Sequence, residues 1–298
     1  MRRRWMDEAD RSPEHGRPSS LILLGIDIGG TGIKGALVDT LRGEPVGEPY
    51  RVPTPKPATP AAVVDAVARV VDRFRMDGPV GVTFPGIIRR GIVGSAAHVD
   101  ASWIGMNPTE RLERRLGRSV VVLNDADAAG LAEVTFGAGL GRRGVVVMVQ
   151  FGTGIGTALF LDGRLLPNTE LGHIIVAGKD AERLAAASVK TRDKLTWKKW
   201  SKRVNVYLAR LESLISPDTI IIGGGVSKDH DQFIGRLRSS AELVPATLSN
   251  EAGIVGAAIA ARGGVPQAQA SAVSPMDGSR GDVRCRHRLH AASRPGRG

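Results

Sequence analysis

Leu21-Ile22-Leu23-Leu24-Gly25-Ile26-Asp27-Ile28-Gly29-Gly30-Thr31-Gly32-Ile33-Lys34-Gly35-Ala36-Leu37-Val38-Asp39 decides the fold. An apolar run, Leu21–Ile28, is cut by Gly29-Gly30-Thr31-Gly32 and resumes as Ile33–Asp39, which reads as two strands around a tight turn. Glycines let the turn backbone approach a ligand closely, and successive N–H groups form an anion-binding concavity. Thr31 adds a hydroxyl donor. Asp27, at the strand end, suits Mg²⁺ held through its water shell. The segment is not a P-loop, because GxxxxGK[ST] is absent and a strand follows the turn. An ordinary glycine hairpin would look the same.

A second copy of the pattern shifts that balance. Val145–Gln150 and Ile155–Leu161 flank Phe151-Gly152-Thr153-Gly154. Two such hairpins imply two similar halves that clamp a phosphate between their turns. Other elements fall around them. Val63, Val67, Val70, Val71 and Phe74 mark a helix over Ala61–Phe74, after a connector stiffened by Pro53, Pro55, Pro57 and Pro60. Val80–Thr83, Ser119–Leu123 and Thr219–Ile222 read as strands. Arg111–Leu116, Ala126–Phe136, Thr196–Ile215 and Ala252–Ala261 read as helices. In the third of these, Trp197, Trp200, Val204, Leu208 and Leu211 share a face opposite Lys198, Lys199 and Lys202.

Three further sites carry candidate chemistry. Asn124-Asp125 follows a buried strand and precedes a helix. Asp125 could be a base in a cleft, where a positioned base contributes roughly 10²–10⁴-fold; from spacing alone, a helix cap is the simpler reading. Glu170 and His173 suit sugar hydroxyls, or a structural pair, or half of a metal site. Gly223-Gly224-Gly225 after a strand admits a purine or a plain turn. Residues 178–203 hold nine Lys or Arg against three acids, with Lys190, Lys194, Lys198 and Lys202 four apart. In one helix these would form a stripe, although Leu195-Thr196 looks like a break; a solvated face is the default reading.

Bulk properties narrow the class. The 298 residues carry a formal charge of +11. Residues 1–20 hold five Arg against four acids and residues 266–298 six Arg against two Asp, leaving +6 on the body. A basic body suits a polyanionic partner. No apolar run approaches the roughly 18 residues of a membrane span, and no signal-peptide pattern follows Arg2-Arg3-Arg4. The single cysteine, Cys285, excludes an internal disulfide and fits a reducing cytoplasm. Residues 1–20 and 265–298 read as disordered extensions.

Taken in order, the motifs Asp27–Gly35, Leu123–Gly130, Gly152–Gly156, Glu170–His173 and Gly223–Gly225 resemble the ROK sugar-kinase family, most closely its polyphosphate/ATP glucokinase branch. The resemblance spans about Leu21 to Ala261. It implies an α/β, two-lobe actin/hexokinase-like ATPase (ribonuclease H-like) fold with the active-site cleft between lobes of residues 21–124 and 125–264. The last helix would pack back on the first lobe. It implies phosphorylation of the glucose 6-hydroxyl from polyphosphate or ATP, with Mg²⁺. Asp125 becomes the base. Asn124, Glu170 and His173 bind glucose, with Asp100 and Gly86 as secondary sugar-site candidates. Asp27, Gly29, Gly30, Thr31, Gly32, Lys34, Gly152, Thr153 and Gly154 serve phosphate, and Gly224 and Gly225 lie near adenosine. Lys190, Lys194, Lys198 and Lys199 are candidates for a polyphosphate channel. The resemblance also implies a homodimer.

Departures matter. The cysteine-rich zinc motif that follows the Gly-His pair in many ROK proteins has no counterpart here, so no structural zinc is expected. No helix-turn-helix segment precedes residue 21, which disfavours a DNA-binding regulator. His98 stands where the family usually places a sugar-contacting Asn, and Gln150-Phe151 before the second turn is unusual. The alternatives are a ROK hexokinase using ATP only or another hexose, and a non-catalytic sugar- or nucleic-acid-binding regulator.

Overall fold

In the computed structural model, residues 21–248 and 251–263 are described. The readings of residues 1–20 and 265–298, and Cys285, lie outside them.

The opening stretch forms β1 (Ile22–Ile28) and β2 (Gly32–Asp39), paired antiparallel. The chain continues through β3 (Glu44–Pro53), α1 (Pro60–Phe74), β4 (Val80–Phe84), a small hairpin of β5 (Ile88–Arg89) and β6 (Ile92–Val93), α2 (Pro108–Leu116), β7 (Val120–Asn124) and α3 (Asp125–Phe136). The second half holds β8 (Val145–Phe151), β9 (Ile155–Leu161), β10 (Arg164–Leu166), β11 (Ile175–Val176), β12 (Lys179–Asp180), α4 (Ala181–Ala185), α5 (Ala187–Arg192), α6 (Trp197–Ile215), β13 (Thr219–Gly223), β14 (Glu242–Pro245) and α7 (Ala252–Gly263).

Two five-stranded sheets share one topology. The first runs β3-β2-β1-β4-β7 and the second β10-β9-β8-β13-β14. Each opens with an antiparallel meander of three strands, and two parallel strands extend the other side of its first strand. The hairpin turns after β1 and β8 are therefore equivalent positions.

Layering follows from side-chain size. Helix α1 lays Val63, Val67 and Val70 on Leu24, Ile26 and Ile28 of the first sheet. On the second sheet, Trp200, Val204, Tyr207 and Leu208 of α6 cover Val147, Val149 and Ile222. Between the sheets lie α3 and α7, whose Ala- and Gly-rich faces permit backbone-to-backbone approach. A Cβ at Gly256 would lie 1.7 Å from the Ala128 carbonyl oxygen, and one at Gly81 would lie 1.8 Å from that of Ala257. The first contact joins α7 to α3; the second seats α7 on β4. Neither glycine has a positive φ, so closeness alone demands it.

One strand is added to the sequence reading, and two readings hold. Strand β3 was not anticipated. Helix α6 begins where expected, with the Thr196 side chain accepting from Lys199 N–H at 3.3 Å. The basic segment 178–203 is not one helix. It breaks between α5 and α6, with Lys194 at φ 48°, so the four-residue lysine spacing makes no stripe. Among the described residues, no helix is long and apolar enough to cross a membrane.

Candidate active site

The loops at the ends of β4 and β7, the β8–β9 turn and the segment 169–182 surround a cavity of about 440 Å³. A smaller cavity of about 170 Å³ adjoins it, lined by Asp27, Gly225, Ser227 and Gly253 among others. Asp125, Gln150 and Gly224 line both.

The ambiguity at Asn124-Asp125 resolves by a division of labour. Asn124 is the cap of α3: its Oδ1 accepts from the N–H groups of Ala126 (2.8 Å) and Asp127 (3.1 Å). Its Nδ2 donates to the Gly86 carbonyl at 3.2 Å. Asp125 is thereby left with only the first of these N–H groups, that of Ala126, which it shares. It stands open to the cleft, with Oδ1 accepting from Ala126 N–H at 2.9 Å. Crowding by the cleft walls raises its pKa to about 6; the Ala126 N–H opposes this, and the negative charges of Asp27 and Glu170 add to it.

Glu170 and His173 face the larger cavity with Asp125. His173 Nε2 lies 3.8 Å from Glu170 Oε2, and Nδ1 lies 2.9 Å from Asp180 Oδ2. Asp180 is itself fixed, its Oδ1 accepting from Glu182 N–H at 3.0 Å. The Asp180 hydrogen bond raises the imidazole pKa, and burial raises that of Glu170. A carboxylate bonded to Nδ1 orients the ring and leaves Nε2 for the cavity.

The second glycine turn lies in the site. Gly152, Thr153 and Gly154 line the larger cavity. Ser188 holds the turn, its N–H donating to Gly152 O at 3.0 Å and its Oγ to Thr153 O at 2.6 Å. Gly224 lines both cavities at φ 84°, where a Cβ would sit 2.4 Å from Phe151 O, so only glycine fits. Gly225 lines the smaller cavity.

The first turn is placed differently. Asp27 lines the smaller cavity, accepting from Thr83 Oγ1 at 2.8 Å, with Lys34 Nζ at 3.8 Å from its other oxygen. Gly29, Gly30, Thr31 and Gly32 border neither cavity directly, but Gly30 abuts His98, which does. Gly86 lines the larger cavity. Asp100 does not: its Oδ1 caps a 3-10 turn, accepting from Ser102 N–H at 2.9 Å. Lys190 lays its ammonium 3.8 Å from the Trp197 ring centre, while Lys194, Lys198 and Lys199 are exposed; none of the four lines either cavity.

Sequence reasoning missed Glu182 and Asp180. Glu182 lines the larger cavity, with Oε2 accepting from Ile155 N–H at 3.3 Å. Both sit in the segment read only for its cations, and no spacing rule links them to His173.

Comparison with known proteins shows the family of the chain. The family model described as ROK family matches residues 23–185. Polyphosphate glucokinase of Mycobacterium tuberculosis strain H37Rv is 50% identical over 237 residues, covering 79% of this chain and 89% of its own. The crystal structure of inorganic polyphosphate/ATP-glucomannokinase from Arthrobacter sp. strain KM superposes with a TM-score of 0.77 at 52% identity, covering 81% of this chain and 98% of its own. A ROK family glucokinase from Streptomyces griseus, in complex with glucose and AMPPNP, gives 0.70 at 27% identity, covering 81% and 99%.

Proposed function

Because this chain belongs to the ROK family, with its actin/hexokinase-like fold, we propose that it is a glucokinase transferring a phosphoryl group from inorganic polyphosphate, and from ATP, to the 6-hydroxyl of glucose. One observation carries the assignment of the base: Asn124 does the capping, so Asp125 faces the cavity shared by the sugar-side and glycine-turn residues.

The chemistry balances with these groups. The Asp125 carboxylate takes the proton of the sugar hydroxyl. That oxygen forms a bond to the terminal phosphorus of the donor, and the bridging P–O bond breaks. The products are glucose 6-phosphate and either a polyphosphate one unit shorter or ADP. Such transfers need positioning and charge stabilisation more than covalent help. Asn124, Glu170 and His173 orient glucose, with Gly86 and His98 beside them. Gly152, Thr153 and Gly154, which line the larger cavity, face the transferred phosphoryl group. Gly224 and Gly225 leave the smaller cavity open to the adenosine of ATP. Asp100 acts indirectly at most, by holding the loop after His98.

Asp27 and Asp125 border one cavity and repel each other, a donor set suited to Mg²⁺ that retains part of its water shell. Asp27 would hold the ion, which when bound neutralises donor phosphate charge. The same reading makes the protein a cytoplasmic homodimer; light scattering that shows a monomer would remove that part alone.

A donor screen with ATP, GTP and polyphosphate against glucose and mannose tests the proposal. Mannose belongs in it because the Arthrobacter relative is a glucomannokinase. Phosphorylation of glucose from polyphosphate and ATP is expected, and Asp125→Asn should lower kcat by about 10²–10⁴-fold. Undiminished turnover by that variant would remove Asp125 as base. Absence of turnover with every donor would remove the enzyme reading.

A further inference from the structure

A charged row crosses the first sheet on the face that also carries α7. Thr83 of β4 pairs with Asp27 of β1, Asp27 with Lys34 of β2, and Lys34 with Arg51 of β3. Partners directly opposite across strands share a face, so the four side chains lie side by side. Asp27 borders the smaller cavity. Two strand spacings, roughly 10 Å in all, separate it from Arg51 on the sheet edge.

Two features of the row lack a purely structural reason. Lys34 and Arg51 are like charges placed opposite each other, an arrangement that destabilises a sheet unless something compensates. Asp27 compensates only Lys34, at 3.8 Å; among the described residues no carboxylate lies within salt-bridge distance of Arg51. Second, Arg51 lies across the first glycine turn. A Cβ on Gly32 would sit 2.1 Å from Arg51 Nε, although Gly32 has no positive φ, so this glycine gives room for the guanidinium.

The turn is also polarised. Arg51 Nη2 donates to the Thr31 carbonyl at 2.9 Å, and Thr54 Oγ1 donates to the Gly29 carbonyl at 2.5 Å. Two of the turn's carbonyls are thus occupied, by Arg51 of β3 and by Thr54 just beyond it. The N–H groups of Gly30 and Thr31 have no acceptor among the described residues. Free N–H groups beside an unpaired guanidinium and an ammonium make an anion site. Its linear layout, from the reacting end at Asp27 out to the sheet edge, fits a chain of phosphates and not a single one.

We infer that Arg51, with Lys34 and the Gly30–Thr31 amides, binds the part of a polyphosphate chain beyond the transferred phosphoryl group, making Arg51 a donor-specificity residue. This rests on the donor reading above. ATP carries only two phosphates beyond the transferred one, and with its adenosine toward Gly224 and Gly225 these end short of Arg51 at the sheet edge.

Arg51→Gln tests the inference, because glutamine keeps a polar amide on a similar stem while losing the charge. With wild type and variant compared at saturating glucose, KM for long-chain polyphosphate should rise about tenfold or more in the variant, the scale of one lost charge-assisted contact. KM for ATP, KM for glucose and the thermal midpoint should stay close to wild type. Equal losses with both donors would reduce Arg51 to a clamp on the turn and overturn the inference. An unchanged polyphosphate KM would do the same while leaving the donor reading intact. A wild-type protein that uses ATP but no polyphosphate would overturn both.

Discussion

At the scale of the residue, the site turns on which of two neighbours caps a helix. Asn124 and Asp125 are both competent caps by residue type. Asn124 holds two N–H groups of α3 and the Gly86 carbonyl, so Asp125 keeps a carboxylate for the cleft. The consequence is visible in pH dependence. A general base acts in its ionised form, and Asp125 is pushed up to about 6, first by the crowding of the cleft. Activity should therefore rise with pH through an acidic limb near 6 in kcat/KM. The nearby negative charge of Glu170 contributes to that elevation, so Glu170→Gln should move the limb to lower pH while raising KM for glucose. A pH–rate profile of both proteins checks this; a limb at the ordinary carboxylate position in the wild type would show that the base is not an elevated Asp125.

At the scale of the element, the helices that look featureless by periodicity do the joining. Helices α3 and α7 are rich in Ala and Gly and have weak amphipathic patterns, because both are buried between the sheets. Their glycines are contact points. Gly81→Ala would drive a methyl group against the Ala257 carbonyl at 1.8 Å, a backbone atom that has no rotamer to adjust. The expected cost is about 3 kcal/mol, the upper part of the overpacking range. For a chain of this size that is roughly 6–12 °C in thermal midpoint. Gly235→Ala is the control, since nothing lies within 4 Å of its added Cβ and its φ is not positive. A scanning calorimetry trace with both variants alike would refute the close-approach argument.

The same elements show what the sequence could disclose. Strands β1, β2, β8 and β9 were legible because apolar runs flank glycine turns. Helix α6 was legible from one apolar face and its Thr196 cap. Strand β3 was not, for a physical reason: as an edge strand it is mostly exposed and tolerates Pro45 and Pro49, so it carries neither alternation nor apolar content. The segment 178–203 carried two competing signals, a lysine spacing and a break at Leu195-Thr196, and the break holds. Its four-residue lysine spacing has the period of a helix, but a left-handed Lys194 and a fresh cap at Thr196 split it. In the site, Asp125, Glu170 and His173 stood in recognisable motifs. Asp180 and Glu182 did not, because each reaches the site through tertiary pairing that no local spacing encodes.

At the scale of the whole molecule, the basic body becomes a kinetic property. Residues 21–265 carry a formal +6, and a surface of one prevailing sign raises the encounter rate of an oppositely charged ligand. Long polyphosphate presents many charges over a length far exceeding the active site, whereas ATP presents a few at one end. The two donors should therefore differ in their response to screening. Raising ionic strength from about 0.01 M to about 0.1 M shortens the Debye length from roughly 30 Å to roughly 10 Å. Over that interval, kcat/KM for long-chain polyphosphate should fall several-fold more than kcat/KM for ATP, with kcat at saturation little changed for either. Because Arg51 contributes one charge to the path assigned to the polyphosphate chain, Arg51→Gln should flatten the salt dependence for polyphosphate and leave that for ATP as it was. Parallel salt dependences for the two donors in the wild type would mean that the basic surface is solvated cover and that donor choice is settled entirely within the cleft.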